Sequence, residues 1–80
     1  MLAELNTKEK IVGIKQLRKA LADGRVRKVF AADDADPKLL DPILEQCAAD
    51  GVEVEHVSAM SELGKACGIE VGAAVAALLR

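Results

Sequence analysis

"LGKACGIEVGAAVAALL", residues 63–79, decides how the rest of the chain is read. Its opening continues a helical pattern that stops at Gly68, and its end, "VGAAVAALL" (71–79), is a near-continuous run of small apolar residues, as expected of a strand covered on both faces. Between them, "GIEV" (68–71) places Ile69 and Val71 in a short connection that begins and ends near glycine. Connections run over the surface, so two large β-branched side chains there are wetted unless something covers them.

Upstream the pattern alternates without linker or repeat. "SAMSELGKACG" (58–68) reads as a helix with Ser58 as N-cap and Met60, Leu63 and Cys67 on one face. "VEVEHV" (52–57) alternates apolar and polar residues, the pattern of a half-buried strand. "DDADPKLLDPILEQCAADG" (33–51) offers Asp36 as N-cap, Pro37 at the first helical position and Gly51 as the stop, and Pro42 predicts a short first segment or a local break. "RVRKVFAA" (25–32) is a strand heading into the core, and "IKQLRKALADG" (14–24) is a helix with Ile14, Leu17 and Leu21 on one face and Gly24 as its end. "KIVG" (10–13) is either a fourth short strand or the start of that helix. Helices alternating with strands in this order define an α/β sandwich, with helices on both sides of a small sheet.

Eighty residues, 51% of them apolar, suffice for one core, so residues 1–80 are read as a single domain. Phe30 is the sole aromatic residue, which leaves the core to Leu, Ile, Val and Ala and argues against binding single strands by base stacking. Cys47 and Cys67 suggest neither a disulfide framework nor zinc, and read as buried thiols. The N-terminal residues lack an apolar run of signal-peptide length, and the run from Ala73 to Leu79 is too short for a membrane span; the expectation is a cytoplasmic domain.

The net charge of −2 conceals a division. Lys8, Lys10, Lys15, Arg18, Lys19, Arg25, Arg27 and Lys28 face only Glu9 and Asp23 between residues 8 and 28, whereas Lys38 is the lone base among the carboxylates from Asp33 to Glu62. Such a division gives an acidic protein a face that attracts polyanions.

No catalytic constellation can be assembled. His56 stands on a strand without a nucleophile motif, "DDAD" (33–36) reads as a helix-capping turn, and no glycine-rich phosphate loop is present. The helix after Gly13 carries more. Lys15, Gln16 and Lys19 project opposite the apolar face, near a helix N-terminus whose unpaired N–H groups favour phosphate. Lysine can donate to guanine O6 and N7 or to backbone oxygens, and Gln16 can both donate and accept at a base edge. Lysine and glutamine outside a helix are also ordinary solvated residues.

"GIKQLRKALADG" (13–24), "AADDADP" (31–37) and above all "LGKACGIEVGAA" (63–74), in this order over nearly the whole chain, resemble the kink-turn RNA-binding family. These are the archaeal and eukaryotic large-subunit ribosomal proteins of the "seven-A-e" and "thirty-e" types and their small bacterial relatives. The resemblance implies a three-layer α-β-α sandwich with a four-stranded mixed sheet, binding RNA at one end of the sheet. It implies that Gly13, Lys15, Gln16 and Lys19 meet the major groove beside tandem sheared G·A pairs. Gly68, Ile69, Glu70 and Val71 would cover the unpaired nucleotides of the bulge. Archaeal members usually carry Asn-Glu where this chain has Lys15-Gln16, as small bacterial members do, which bears on the strength and selectivity of guanine contacts. On this reading Ile69 lies on the surface against the faces of unstacked bases, and Val71 either joins it or enters the core. Gly68 and Gly72 would let the backbone come close. The implied partner is structured RNA, ribosomal or regulatory, bound by a monomer with no cofactor, metal, small-molecule substrate or membrane. The rival reading is a protein-interaction module of the same fold that uses the acidic 33–62 surface.

Overall fold

Val26–Ala32 is the strand (β2) around which the domain is assembled in the computed structural model, which describes residues 2–7 and 9–80. It pairs in parallel with β3, Glu53–Val57, and antiparallel with β4, Val75–Leu79; β4 in turn takes β1, Lys10–Val12, antiparallel on its other side. The mixed sheet therefore has the order β1-β4-β2-β3, and the most apolar strand is an inner one. "KIVG" is a strand that stops at Gly13, whose φ of 108° and ψ of 154° separate it from the helix that follows. That pair of values does not suit a residue with a Cβ, so glycine is the local reason for two elements rather than one.

Three helices follow the strands. α1 spans Ile14–Ala22, α2 spans Pro37–Asp50 and α3 spans Met60–Ala66. The parallel strands β1 and β2, and then β2 and β3, are joined through α1 and α2, which the right-handed crossover rule puts on one face of the sheet. α3 and a 3₁₀ turn at Leu2–Leu5 pack together on the other face. Leu17, Ala20 and Leu21 of α1, Leu40, Ile43 and Cys47 of α2, and Leu5 and Leu63 across the sheet are buried against β2 and β4. Phe30 is fully buried, as are Val75, Ala76 and Ala77, and the alanines of β4 let the helical layers approach the sheet closely. Burial pushes both cysteine thiols upward in pKa, which holds them protonated and unreactive.

Three expectations need correction. α2 is continuous through Pro42. The hydrogen bond that proline forfeits is the one to the Lys38 carbonyl, in an exposed turn that water can serve, while Leu40, Ile43 and Cys47 fix the helix from the core side. Ser58 does not cap α3: the N-cap position is Ala59, and the Ser58 hydroxyl instead donates to Glu62 at 2.5 Å. Finally, Lys28 is removed from the basic face. Its side chain is buried against the Phe30 ring, 5.0 Å from the centroid, and its ammonium lies 2.8 Å from Glu4, 3.0 Å from Glu55 and 3.4 Å from Glu53. Glu4, foremost through the hydrogen bond from Lys28, is held down to about pKa 2. Hydrogen bonds to Glu4 and then Glu55 raise Lys28 well above the ordinary lysine value.

Candidate nucleic-acid interface

Four chain segments converge where β2 and β3 end and β4 begins. The Gly13 amide donates to the Val75 carbonyl at 3.1 Å, which joins the start of α1 to the start of β4. The Ala32 amide donates to Ala74 at 2.9 Å, and the Asp33 amide to Val57 at 2.7 Å, so the acidic turn 33–36 closes the same end.

At this end α1 presents an open N-terminus. Gly13 is its N-cap and supplies no side chain, while the Leu17 amide is the first to find a carbonyl within the helix, that of Gly13. The N–H groups of Ile14, Lys15 and Gln16 precede that bond and have no acceptor within the helix. Lys15, Gln16 and Lys19 are all exposed, as expected, and none of these makes an ion pair or side-chain hydrogen bond among the described residues. Arg18 is exposed between them and turns toward α2, where it lines a groove of about 380 Å³ with Pro42 and Gln46. Lys8 lies outside the described residues.

The 68–72 loop is shaped by α3. Gly68 turns the chain with φ of 80°, and the Ile69 amide donates to the Gly64 carbonyl at 3.0 Å. The backbone then runs back along the helix: the Val71 carbonyl oxygen lies where a Cβ on Gly64 would be, only 2.0 Å from that position. Gly72 passes Met60, against whose Cβ a side chain at 72 would stand at 3.1 Å, and the Ala73 amide donates to the Met60 carbonyl at 3.0 Å. Gly68 and Ile69 thus belong to the far end of α3, whereas Val71 to Ala73 return to the end of the sheet that holds Gly13. The close approach made by Gly72 is to the protein's own helix.

Ile69 is 37% exposed and Val71 70% exposed, and Glu70 between them is exposed too. Ile69 lies on the surface as expected, but so does Val71, and more fully. Its carbonyl oxygen lies against Gly64 while its side chain stands in solvent. Among the described residues, Leu39, Ile69 and Val71 are the large apolar side chains that stand exposed, and two of the three share this loop.

Sequence reasoning took the close approach at Gly72 as one toward RNA, and it missed Gly64 in the seat of the loop and the contact that anchors it, from the Met60 amide to Asp34 Oδ1 at 2.7 Å. A glycine inside the helical pattern "SELGKA" was the available signal for Gly64, since that position costs stability unless something needs the space. The acidic turn does cap: Asp36 accepts from the Lys38 amide at 2.9 Å. Asp33 contacts His56 Nδ1 at 2.9 Å, which accounts for the exposed strand histidine. No group of His, Cys, Asp and Glu capable of holding a metal occurs among the described residues, and no helix of theirs is long and apolar enough to cross a membrane.

The mixed four-stranded α-β-α sandwich is that of a ribosomal-protein-like domain. Residues 2–80 match the family model of the ribosomal protein L7Ae/L30e/S12e/Gadd45 family, and the chain belongs to that family. It is 44% identical over 70 residues to a protein of Geobacillus sp. (strain WCH70) named an RNA-binding protein, covering 88% of this chain and 85% of that one. It is 40% identical over 68 residues to the large ribosomal subunit protein eL8 of Halobacterium salinarum, covering 84% of this chain and 57% of the longer relative. The fold superposes on the Giardia lamblia 15.5kD RNA binding protein with a TM-score of 0.85 at 26% identity, over 99% of this chain and 65% of that one.

Proposed function

We propose that this protein binds structured RNA through the open N-terminus of α1 and the 68–72 loop, and recognises kink-turn or kink-turn-like motifs in ribosomal or regulatory RNA. The observation that carries this reading is the exposure of Ile69 and Val71 on a loop seated against α3. That loop leads directly into the Val75 carbonyl bonded by Gly13, at the start of the helix with unpaired amides. Names borne by the relatives support RNA as the partner.

The chemistry divides between two halves. The amides of Ile14, Lys15 and Gln16, with the partial positive charge of the helix end, suit a phosphate. Lys15 and Gln16 suit the major-groove edges of tandem sheared G·A pairs, guanine O6 and N7 as acceptors for lysine, and Lys19, one turn along, suits the backbone. Ile69 and Val71 suit the apolar faces of unstacked bases, which exist only where the RNA is kinked open. The role is to stabilise a folded RNA by a monomer in the cytoplasm, with no bond made or broken. As for the acidic surface, Glu53 and Glu55 are ion-paired with Lys28, while Asp34, Asp36, Asp50 and Glu62 accept hydrogen bonds from neutral groups that serve the fold and leave their charges in place.

Titration against a stem with tandem G·A pairs and a bulge, the same stem without the bulge, and a Watson–Crick duplex tests the reading. The bulged RNA should bind tightest and the duplex weakest. Equal affinity for all three would reduce the site to a general polyanion surface. Gln16→Ala should cost about 1–3 kcal/mol against the G·A stem and less against the duplex.

A further inference from the structure

Asp34 is an exposed carboxylate at the end of the sheet proposed to meet RNA, and on charge alone it should oppose a polyanion. Its Oδ1 accepts the Met60 amide at 2.7 Å, across 26 residues of sequence. α3 has no side-chain cap of its own, because Ala59 occupies the N-cap position. Asp34 therefore supplies from another segment the acceptor that the local sequence lacks. Met60 is also the residue whose carbonyl takes the Ala73 amide at 3.0 Å and whose Cβ bounds Gly72. One residue, Met60, thus ties the acidic turn through its amide to the returning end of the 68–72 loop through its carbonyl.

We infer that Asp34 is a positioning residue for the apolar loop: by fixing the first turn of α3, it sets where Gly72 and Ala73, and with them Val71, stand at the RNA-facing end. This rests on the proposed RNA reading. Asp34 touches no base or phosphate in this role, and its contribution to RNA affinity is opposite in sign to that of its charge.

Three full-length variants separate the two effects. Asp34→Asn removes the charge and keeps an acceptor oxygen in place. Asp34→Glu keeps the charge and displaces the acceptor. Asp34→Ala removes both. Positioning requires Asp34→Asn to bind the bulged RNA at least as well as wild type, and Asp34→Ala and Asp34→Glu to bind it ~5-fold more weakly, the typical worth of one cap. Binding to the stem without a bulge should not fall in any of them. In the free proteins, the Ala73 amide should exchange with solvent faster in Asp34→Ala and Asp34→Glu than in wild type or Asp34→Asn, while the β2 and β4 amides exchange alike. Tighter binding of both Asp34→Ala and Asp34→Asn would make Asp34 a repulsive charge and overturn the inference, as would unchanged affinity in all three. Should Asp34→Ala not fold, Asp34→Glu against Asp34→Asn still decides. The exchange result stands without RNA: unchanged Ala73 exchange removes the coupling itself. Altered exchange in a protein that ignores the bulge leaves a clamp whose RNA role is wrong.

Discussion

Lys28 holds its charge in a nearly dry position because Glu4, Glu53 and Glu55 surround its ammonium while Phe30 packs against it. The consequence for stability against pH follows from the two shifts. Glu4, lowered from 4.5 to about 2 by Lys28 above all, contributes stability that is present above pH 4.5 and is lost as the pH falls toward 2. Lys28, raised from 10.5, contributes stability that is complete below pH 10.5 and is lost only in stronger base. Thermal melts should show a plateau between these limits, and the acid limb should flatten in Lys28→Met, which keeps the apolar stem and leaves three partly hydrated carboxylates. An acid limb indifferent to Lys28 would remove the ion cluster from the stability account. Val71 belongs to the opposite case, an apolar side chain in water. Val71→Ala should leave stability within about 0.5 kcal/mol of wild type, as at ordinary surface positions. Its affinity for bulged RNA should fall by an amount nearly independent of salt, because no phosphate contact is lost. A melt that drops by ~2 kcal/mol or more would instead make Val71 a core residue.

At the scale of elements, α2 and α3 show what a one-dimensional pattern can and cannot carry. Pro42 inside α2 withholds one backbone bond, so Pro42→Ala should stabilise the protein by about 1–2 kcal/mol, less than the ~3 kcal/mol of a fully interior proline because the unfolded chain gains freedom and ring packing is lost. Urea melts measure it, and a destabilised variant would mean that the ring's contacts beside Arg18 and Ile43 outweigh the missing bond. Gly64→Ala must displace the Val71 carbonyl and should cost about 1–3 kcal/mol while moving the loop, visible as altered Ile69 and Ala73 amide signals. α1 was legible because Leu17, Ala20 and Leu21 bury one face at helical spacing, and β4 because a continuous apolar run is covered on both faces. β3 was legible as a strand, although its buried Val57 lies on the face opposite Val54, and Asp36-Pro37 and Gly51 carried the ends of α2. The Pro42 break and the Ser58 cap were misread for a shared reason: core contacts and a carboxylate from a distant turn override the local preference. The start of α1 was legible as a binding end since Gly13 and the lysines are contiguous. Gly64, Gly72 and Asp34 were not, because their roles exist only where α3, the loop and the 33–36 turn meet.

For the molecule as a whole, the division of charge matters more than its net value of −2. Arg25 lies 3.7 Å from Asp23, Arg27 3.9 Å from Glu4, and Lys28 is buried, so the bases of the 8–28 segment without a carboxylate partner narrow, among the described residues, to those of α1 and Lys10, whose ammonium donates to the Thr7 carbonyl. RNA binding should weaken with salt in spite of the acidic net charge, and Lys19→Ala should flatten the plot of log K against log salt by about 1 unit if Lys19 meets one phosphate. A slope unchanged by Lys19→Ala, with affinity also unchanged, would remove Lys19 from the interface. The central claim is that the start of α1 at one end of the sheet and the 68–72 loop that runs back to it along α3 together form the RNA-binding surface. Amide and methyl NMR shifts during titration with a bulged, tandem-G·A RNA test it most directly. The changes should concentrate at Gly13 to Lys19 and at Gly68 to Gly72, with the Ile69 and Val71 methyl groups among the largest. Changes centred on the outer face of α2 and on β3, with Ile69 and Val71 unmoved, would contradict it.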